Sequence, residues 1–225
     1  MLGPSPYFTE IQRPRLGEAV LETVAEVRAL VRESEHRNPI WWIGDSATPR
    51  DLSQRLRAFG FRDPTDHGEL VALAIAAEPA FGPTDVQVRK VETLGEFVAA
   101  REIMWEVFET SPQKREAERE HVEKGFRAEQ ELRATATFLA YLDNRPVAAG
   151  QAAYCERGGL LFAGATLSEA RGRGAYRALV RARWDEAVRR GTPALVTQAV
   201  PSSEPILRRL GFHEVSRLRR LEDPL

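Results

Sequence analysis

An arginine- and glycine-rich loop stands at the centre of the sequence Thr166-Leu167-Ser168-Glu169-Ala170-Arg171-Gly172-Arg173-Gly174-Ala175-Tyr176-Arg177-Ala178-Leu179-Val180. The apolar run from Leu160 to Leu167 predicts a buried strand before the loop, and Gly191 ends the helix predicted after it. Gly172 and Gly174 carry no side chain that would keep an anion away from the backbone. Backbone N–H groups, the positive end of the helix and the arginines therefore converge on one point. The pattern predicts a site for a phosphate or pyrophosphate.

The loop differs from two common phosphate-binding motifs. No Gly-Lys-Ser/Thr follows as in a Walker loop, and the segment from Gly172 ends in Arg177 where the dinucleotide motif has glycine or alanine. A tight strand-to-helix turn on a basic surface is the alternative interpretation. The helix context favours an anion site, with Arg177 and Arg181 one turn apart where a second phosphate could bind. The core side of this helix is predicted to carry Leu179, Val180, Trp184, Ala187 and Val188.

Composition limits the classes of function. The formal net charge of −1 gives the chain no long-range attraction to nucleic acid or acidic membranes, so neither is expected as a partner. A single cysteine, Cys155, excludes an internal disulfide, and four scattered histidines show no metal-binding spacing. Met1 to Pro6 lacks the pattern of a signal peptide, and no apolar run is long enough to cross a bilayer. We expect a cytoplasmic protein without a metal site.

Hydrophobic periodicity predicts an α/β (α+β) protein in two parts. The first part has a helix, a short strand, a second helix and a segment that fits strand or helix: Leu16 to Glu35, Ile40 to Gly44, Asp51 to Phe59 and Leu70 to Ala76. Two prolines and a glycine make Glu78 to Asp85 the best linker candidate. The predicted domains are therefore residues 1–82 and 83–225.

The second part reads β-α-α-β-β-β-α-β-α-β from Val86 onward. Thr93 with Glu96 forms a capping box, and Ser111-Pro112 starts the next helix. The remaining predicted elements are strands at Ala134 to Leu142, Pro146 to Cys155, Leu160 to Leu167, Ala194 to Ala199 and His213 to Leu221, with helices at Ala175 to Arg190 and about Ser202 to Leu210. This order predicts a mostly antiparallel mixed sheet flanked by helices. The strands that end at Leu167 and Ala199 should run parallel.

The second part resembles the GNAT acetyltransferase superfamily, whose signature is Arg/Gln-x-x-Gly-x-Gly/Ala between a strand and a helix. Arg171-Gly172-Arg173-Gly174-Ala175-Tyr176 follows this signature through its fourth position and the spacer. Leu207-Arg208-Arg209-Leu210-Gly211-Phe212 is similar to the closing segment of the family. The resemblance covers Val86 to about Leu221 and implies a GNAT-like fold.

The resemblance also implies that the chain binds acetyl-CoA as a cosubstrate and transfers its acetyl group directly to a neutral amine. Its pyrophosphate would lie on the loop amides, and the pantetheine arm would pair with the strand end. The implied cofactor-binding residues are Ala165, Thr166, Leu167, Arg171, Gly172, Arg173, Gly174, Ala175, Tyr176 and Arg177.

The sequence departs from the family pattern at the catalytic positions. Tyr176 replaces a small residue, Leu207 stands where many members have a tyrosine acid, and the strand before the loop has no glutamate. Gln198 and Ser203 are the candidates by position, although glutamine cannot accept a proton. Further candidates are Ser202 by position and His121, Tyr154 and Glu156 by chemistry.

The sequence leaves several functions open. Residues 1–82 repeat the helix–strand–helix–Gly order of the C-terminus, which suggests a partial, degenerate GNAT-like segment that could complete the sheet, wall the acceptor cleft or support a homodimer. The leading hypothesis is an N-acetyltransferase with a small-molecule or peptide amine as acceptor. The alternatives are a non-catalytic acetyl-CoA- or CoA-binding regulatory module and an interaction scaffold.

Overall fold

The computed structural model describes residues 10–33, 39–65, 68–82 and 84–224. In chain order the helices and strands are β1 (Glu10–Gln12), α1 (Val20–Glu33), β2 (Ile40–Gly44), α2 (Leu52–Ala58), β3 (Glu69–Ile75), β4 (Gln87–Lys90), α3 (Leu94–Val107), α4 (Pro112–Leu132), β5 (Thr135–Leu142), β6 (Arg145–Cys155), β7 (Gly158–Thr166), α5 (Ala175–Arg189), β8 (Leu195–Ala199), α6 (Glu204–Arg209) and β9 (His213–Glu222). Among these helices, none combines the length and apolar character that a membrane crossing requires.

The chain forms two compact units. The first contains the described residues of Met1–Ala72, Ala199–Pro205 and Glu214–Leu225. The second contains Leu73–Gln198 and Ile206–His213, again within the described ranges. The first unit therefore takes most of β9 from the far end of the chain.

Three strands of the first unit pair with one another. β1 pairs with β2 in parallel, and β2 pairs antiparallel with β9 from Ile40↔Glu222 to Gly44↔Leu218. Trp41 is fully buried and its ring meets that of Phe61 edge to face, with centroids 5.7 Å apart. This aromatic pair packs in one apolar cluster with Val20, Val24, Ile43, Ala47, Leu52, Leu56 and Leu221. Val20 and Val24 supply the α1 side of that cluster.

A buried ion pair closes the first unit. Asp223 is fully buried, and its carboxylate accepts hydrogen bonds from Arg28 at 2.6 to 3.0 Å. The same guanidinium lies 5.2 Å from the centroid of the Phe61 ring. These contacts satisfy the buried carboxylate and attach the end of β9 to α1.

Five successive strands of a sheet lie in the second unit. β4, β5, β6 and β7 pair antiparallel in that order, and β8 joins β7 in parallel. Asp143 and Asn144 form the turn between β5 and β6 with positive φ angles, as a tight two-residue hairpin turn requires. The predicted parallel relation of the strands ending near Leu167 and Ala199 is confirmed.

Helices cover both faces of this sheet. α3 and α4 pack on the face that carries Leu139, Ala149 and Ala165. α5 packs on the opposite face, where the side chain of Arg183 lies against Gly150. The predicted caps are confirmed, because Thr93 and Glu96 form the capping box and the Ser111 hydroxyl accepts from the backbone N–H of Lys114.

Some predictions need correction. The segment from Leu70 that fitted strand or helix is the strand β3, and Val188 of α5 is 49% exposed instead of lying in the core. The buried side of α5 carries Arg183 as well, which is 1% exposed and was not predicted. Glu35, the predicted end of the first helix, and Pro83 of the linker lie outside the described residues.

We expect the stability of the second unit to depend on pH through Glu186. Its side chain is 9% exposed, and hydrogen bonds from Arg189, opposed by burial and aided by Arg190, lower its pKa to about 2. Because folding lowers this pKa, the stabilisation is complete above the ordinary value of 4.5 and disappears as pH falls toward 2. Glu186→Gln should therefore reduce the free energy of unfolding by about 2 kcal/mol at neutral pH and by little near the lower value.

Urea unfolding at a series of pH values measures this difference. Asp185→Asn is the matched control, because its carboxylate is 54% exposed on the same helix and should contribute under about 1 kcal/mol. Equal pH profiles for wild type and Glu186→Gln would contradict the assignment.

Candidate functional site

The edge of β7 opens next to the loop that the sequence singled out. β7 and β8 pair only from Gly159↔Leu195 to Leu161↔Thr197, whereas β7 continues to Thr166. At this point Ala163 has a φ of +49°, and the β6–β7 register shifts around Gly150. The extra residue forms a β-bulge, which bends a strand away from its neighbour. The end of β7 thus has no strand partner on its β8 side among the described residues.

The open edge offers specific backbone groups. The N–H of Leu167 donates to Val147 on the β6 side at 3.0 Å, so this group is already used. Because backbone N–H groups alternate in direction along a strand, those of Thr166 and Gly164 face the open side. The Thr166 hydroxyl is buried without a hydrogen-bond partner. An extended ligand with amide groups would fit this edge.

The loop that follows forms an anion-binding site from backbone groups. We call Arg171–Arg177 the anion loop. A short 3-10 turn over Ser168–Ala170 precedes it, and this turn engages the N–H groups of Arg171 and Arg173. Gly172 and Gly174 have φ angles of +78° and +88°, which favour glycine.

The free donors of the anion loop lie at and just before the start of α5. No protein acceptor is seen in the described residues for the N–H groups of Gly172 and Gly174. The first-turn N–H groups of Ala175, Tyr176 and Arg177 have no partner within the helix either. These donors stand at the positive end of a four-turn helix and suit a phosphate group. The Arg173 N–H, one of the loop amides predicted to bind the pyrophosphate, is instead engaged by the preceding turn.

The interdomain linker predicted from the sequence contributes to the surroundings of the anion loop. The Thr84 hydroxyl and the Arg177 guanidinium both lie 3.3 Å from the position that a Cβ of Gly174 would occupy. A cavity of about 340 Å³ extends from there along α5, between Phe81 and Asp185. Arg181 at its wall is paired with Glu78 at 2.8 Å, so Arg177 is the more available cation. Sequence reasoning missed Thr84, which carries no motif.

The Tyr176 ring packs against Gly164, next to the bulge in β7. A Cβ on Gly164 would stand 3.0 Å from Cε2 of the Tyr176 ring. Burial raises the pKa of the Tyr176 hydroxyl, so the ring stays neutral at physiological pH. The residue that departs from the family pattern therefore supports β7 at the place where the strand leaves β8.

Arg183 supports the same bulge from α5. Its Nη1 donates to the backbone carbonyl of Gln151 at 3.2 Å, and its Nε donates to that of Leu179 at 2.9 Å. Nη2 is buried without a hydrogen-bond partner, and burial lowers the pKa of the guanidinium. A Cβ on Gly150 would lie 3.0 Å from Nη1. The glycine inside an otherwise apolar strand was the available sequence signal for this close approach.

Solved structures of other proteins are similar to this chain. The chain matches a protein of unknown function from Staphylococcus epidermidis with a TM-score of 0.71 and 12% identity, covering 100% of this chain and 89% of that one. It matches a GCN5-related N-acetyltransferase from Kribbella flavida with a TM-score of 0.64 and 20% identity, over 91% and 74% of the two chains. It matches a tandem GNAT protein from the clavulanic acid biosynthesis pathway with a TM-score of 0.65 and 13% identity, over 90% and 69%.

The chain has the GNAT fold. The fold expected from the resemblance is therefore confirmed. The sequence itself matches no family model and no curated protein.

The two catalytic candidates lie in different compact units of this GNAT-fold chain. Gln198 is exposed near the end of β8, in the second unit. Ser203 lies in the first unit, in the turn before α6, where its hydroxyl donates to the Val200 carbonyl at 3.2 Å. That hydrogen bond gives Ser203 a local structural role.

The chemical candidates are also placed by the structure. Tyr154 is buried, its hydroxyl donates to the Arg183 carbonyl at 3.2 Å, and burial raises its pKa. His121 is exposed on α4, and Leu207 is buried on α6. Across the described residues, His, Cys, Asp and Glu side chains form no cluster that could hold a metal ion. The described site provides backbone donors and positive charge, and its binding chemistry is more complete than its acid–base chemistry.

Proposed function

We propose that this chain is an acetyl-CoA-dependent N-acetyltransferase that moves an acetyl group to an amine acceptor. The open edge of β7, which runs directly into the anion loop, is the observation that carries the proposal. It combines an unpaired strand edge for the amides of the pantetheine arm with helix N-terminal donors for a pyrophosphate. The GNAT fold, shared with structures described as N-acetyltransferases, supports it.

Each part of the site has an assigned role in this proposal. Ala165, Thr166 and Leu167 form the strand end on which the pantetheine lies, with the free N–H groups of Gly164 and Thr166 as donors. Gly172 to Arg177 hold the pyrophosphate, with the Arg171 and Arg173 side chains as nearby positive charge. Arg177 also faces the cavity beside α5 and could bind a second phosphate.

The proposed reaction is a direct transfer. The lone pair of a neutral amine forms the new N–C bond while the C–S bond of the thioester breaks. The sulfur leaves with the electron pair of the broken C–S bond, and the proton released by the amine ends on the CoA thiol. The protein contributes mainly orientation and backbone hydrogen-bond donors. Gln198 is proposed to orient the amine or a water molecule.

We expect acetyl-CoA to raise the melting temperature of the full chain, because ligand binding stabilises the folded state. With a panel of amines, peptides and aminoglycosides, we expect CoA thiol release together with an N-acetylated product found by mass spectrometry. Heat-treated protein is the control for spontaneous acetylation. Saturating acetyl-CoA that leaves the melting temperature unchanged would contradict the proposal.

A non-catalytic CoA-binding module is the second candidate function. One observation favours it: the exposed position at the end of β8 is occupied by Gln198, whose amide cannot take up a proton. This candidate predicts the same shift in melting temperature without thiol release by any acceptor. The two functions are therefore separated by the product measurement.

We propose that residues 83–225 supply the acetyltransferase domain and that residues 1–82 are a degenerate GNAT-like segment, although the described residues of Ala199–Pro205 and Glu214–Leu225 belong to the first compact unit. The helix–strand–helix order of α1, β2 and α2 supports this assignment. The similarity to a protein described as a tandem GNAT supports it as well.

A further inference from the structure

Part of the sheet face on which α3 and α4 pack is left exposed beside the site, on β6, β7 and β8. Gln151 pairs with Phe162, Ala153 pairs with Leu160, and Leu160 pairs with Val196, so these side chains share a face. The Gly150 position faces Arg183 of α5, and successive residues of a strand point to opposite faces of the sheet. Gln151 and its partners therefore lie on the face opposite α5. Leu160, Phe162 and Val196 are 41%, 39% and 42% exposed.

This exposed part of the face begins at the open edge of β7. We call it the apolar face, made of Gln151, Ala153, Leu160, Phe162, Val196 and Gln198. Phe162 is the first residue beyond the last β7–β8 pair, Leu161↔Thr197. It therefore adjoins the bulge at Ala163, from which the unpaired strand end continues. A molecule resting on the apolar face lies next to the proposed path of the pantetheine.

The apolar face is uncharged. None of its six side chains is ionisable. The carboxylate of Glu129 is connected to Gln151 of the apolar face through the Thr137 hydroxyl, and Glu129 is 7% exposed. Both of its oxygens are used, since Oε1 accepts from the Thr137 N–H and Oε2 accepts from the Thr137 hydroxyl, each at 2.8 Å. A polycationic acceptor would find no counter-charge among these side chains, whereas an apolar body would bury exposed aromatic and aliphatic surface.

Gln151 provides a fixed polar group on this face. Its Nε2 donates to the Thr137 hydroxyl at 3.0 Å, and that hydroxyl donates in turn to Glu129. The backbone carbonyl of Gln151 is held from the other side by Arg183. With Nε2 engaged, Oε1 is the end of the amide that can accept a hydrogen bond from a ligand. Gln151 is therefore oriented to receive an N–H group beside Phe162.

We propose that the acceptor is a primary amine attached to an uncharged aromatic or aliphatic body. The body packs on Leu160, Phe162 and Val196, and the amine donates an N–H to Oε1 of Gln151. This inference rests on the proposed N-acetyltransferase function and specifies its acceptor. The amine reacts in its neutral form, which an uncharged surface favours over the ammonium ion.

The test compares 2-phenylethylamine with kanamycin as acceptors of the full chain. We expect kcat/KM to be at least about tenfold higher for 2-phenylethylamine. Phe162→Ala should lower kcat/KM for 2-phenylethylamine about tenfold, mainly through KM, and should leave acetyl-CoA affinity unchanged. Phe108→Ala is the matched control, because Phe108 is 52% exposed at the end of α3 and outside the apolar face.

A variant that introduces a negative charge tests the same surface through an expected increase in kcat/KM for kanamycin. Phe162→Asp should lower kcat/KM for 2-phenylethylamine and raise it for kanamycin, whereas Phe108→Asp should change neither. Calorimetric titration with acetyl-CoA, run on every variant, separates the two levels of the proposal. If acetyl-CoA binds but kanamycin is the better wild-type acceptor, or the Phe162 and Phe108 variants behave alike, the inference is overturned and the proposed function stands. If acetyl-CoA does not bind, the proposed function fails and the inference fails with it.

Discussion

Replacing Gly172 with aspartate is expected to weaken acetyl-CoA binding by at least about 100-fold, whereas Gly172→Asn should retain most of the affinity. The position has a φ of +78° and no atom within 4 Å of a built Cβ, so either side chain fits the folded protein. Aspartate and asparagine share their size and both tolerate the left-handed conformation. The two variants therefore have nearly the same shape and differ in the negative charge and in the amide N–H donors.

The expected loss follows from the charge placed in the anion loop. Two unit charges 4 Å apart near a protein surface repel by about 4 kcal/mol, and about 2.7 kcal/mol corresponds to a 100-fold change in Kd. Calorimetric titration with acetyl-CoA measures both variants, and their melting temperatures without ligand confirm folding. Equal affinities of the aspartate and asparagine variants would show that the pyrophosphate does not bind at this loop.

Removing the Tyr176 ring is expected to lower the free energy of unfolding by about 3 kcal/mol. The ring packs against Gly164 next to the bulge. Truncation of a packed aromatic side chain to alanine leaves a cavity. Tyr176→Phe keeps the ring and should cost less than about 1 kcal/mol, because it removes only the hydroxyl. Urea unfolding of the three proteins measures these differences.

Gly164→Ala provides a test of the contact itself. In the wild-type background the new methyl group would stand 3.0 Å from the ring, so we expect a loss of about 1 kcal/mol. In the Tyr176→Ala background the same change should be neutral or stabilise by a few tenths of a kcal/mol, since the space is free and alanine restricts the unfolded chain. Additive effects of the two substitutions would contradict the packing of Tyr176 on Gly164.

Local signals explain which parts of the fold were predictable. The capping box of Thr93 and Glu96 and the Ser111-Pro112 start depend on neighbours in sequence, and both appear in the structure. The strand–loop–helix around the anion loop is likewise local, because two glycines between an apolar run and an amphipathic helix specify it. The parallel relation of β7 and β8 follows from the helix that connects them, because such a crossover returns the chain in the same direction.

Non-local contacts explain what the sequence could not show. Arg183 stands among charged residues in the sequence, and only the sheet beneath α5 reveals that it is buried against Gly150. The register shift of the bulge arises between two strands, so neither strand predicts it alone. The 3-10 turn that engages the Arg173 N–H depends on the preceding alanine carbonyl, which carries no sequence motif. The apolar face can be recognised only from the pairing register of β6, β7 and β8.

Calorimetric titration of the wild-type full chain with acetyl-CoA tests the central claim most directly. The proposed site predicts saturable binding of one acetyl-CoA per chain, competition by CoA, and loss of this binding in Gly172→Asp with retention in Gly172→Asn. Absence of saturable binding by a folded wild-type chain at millimolar acetyl-CoA would contradict the account.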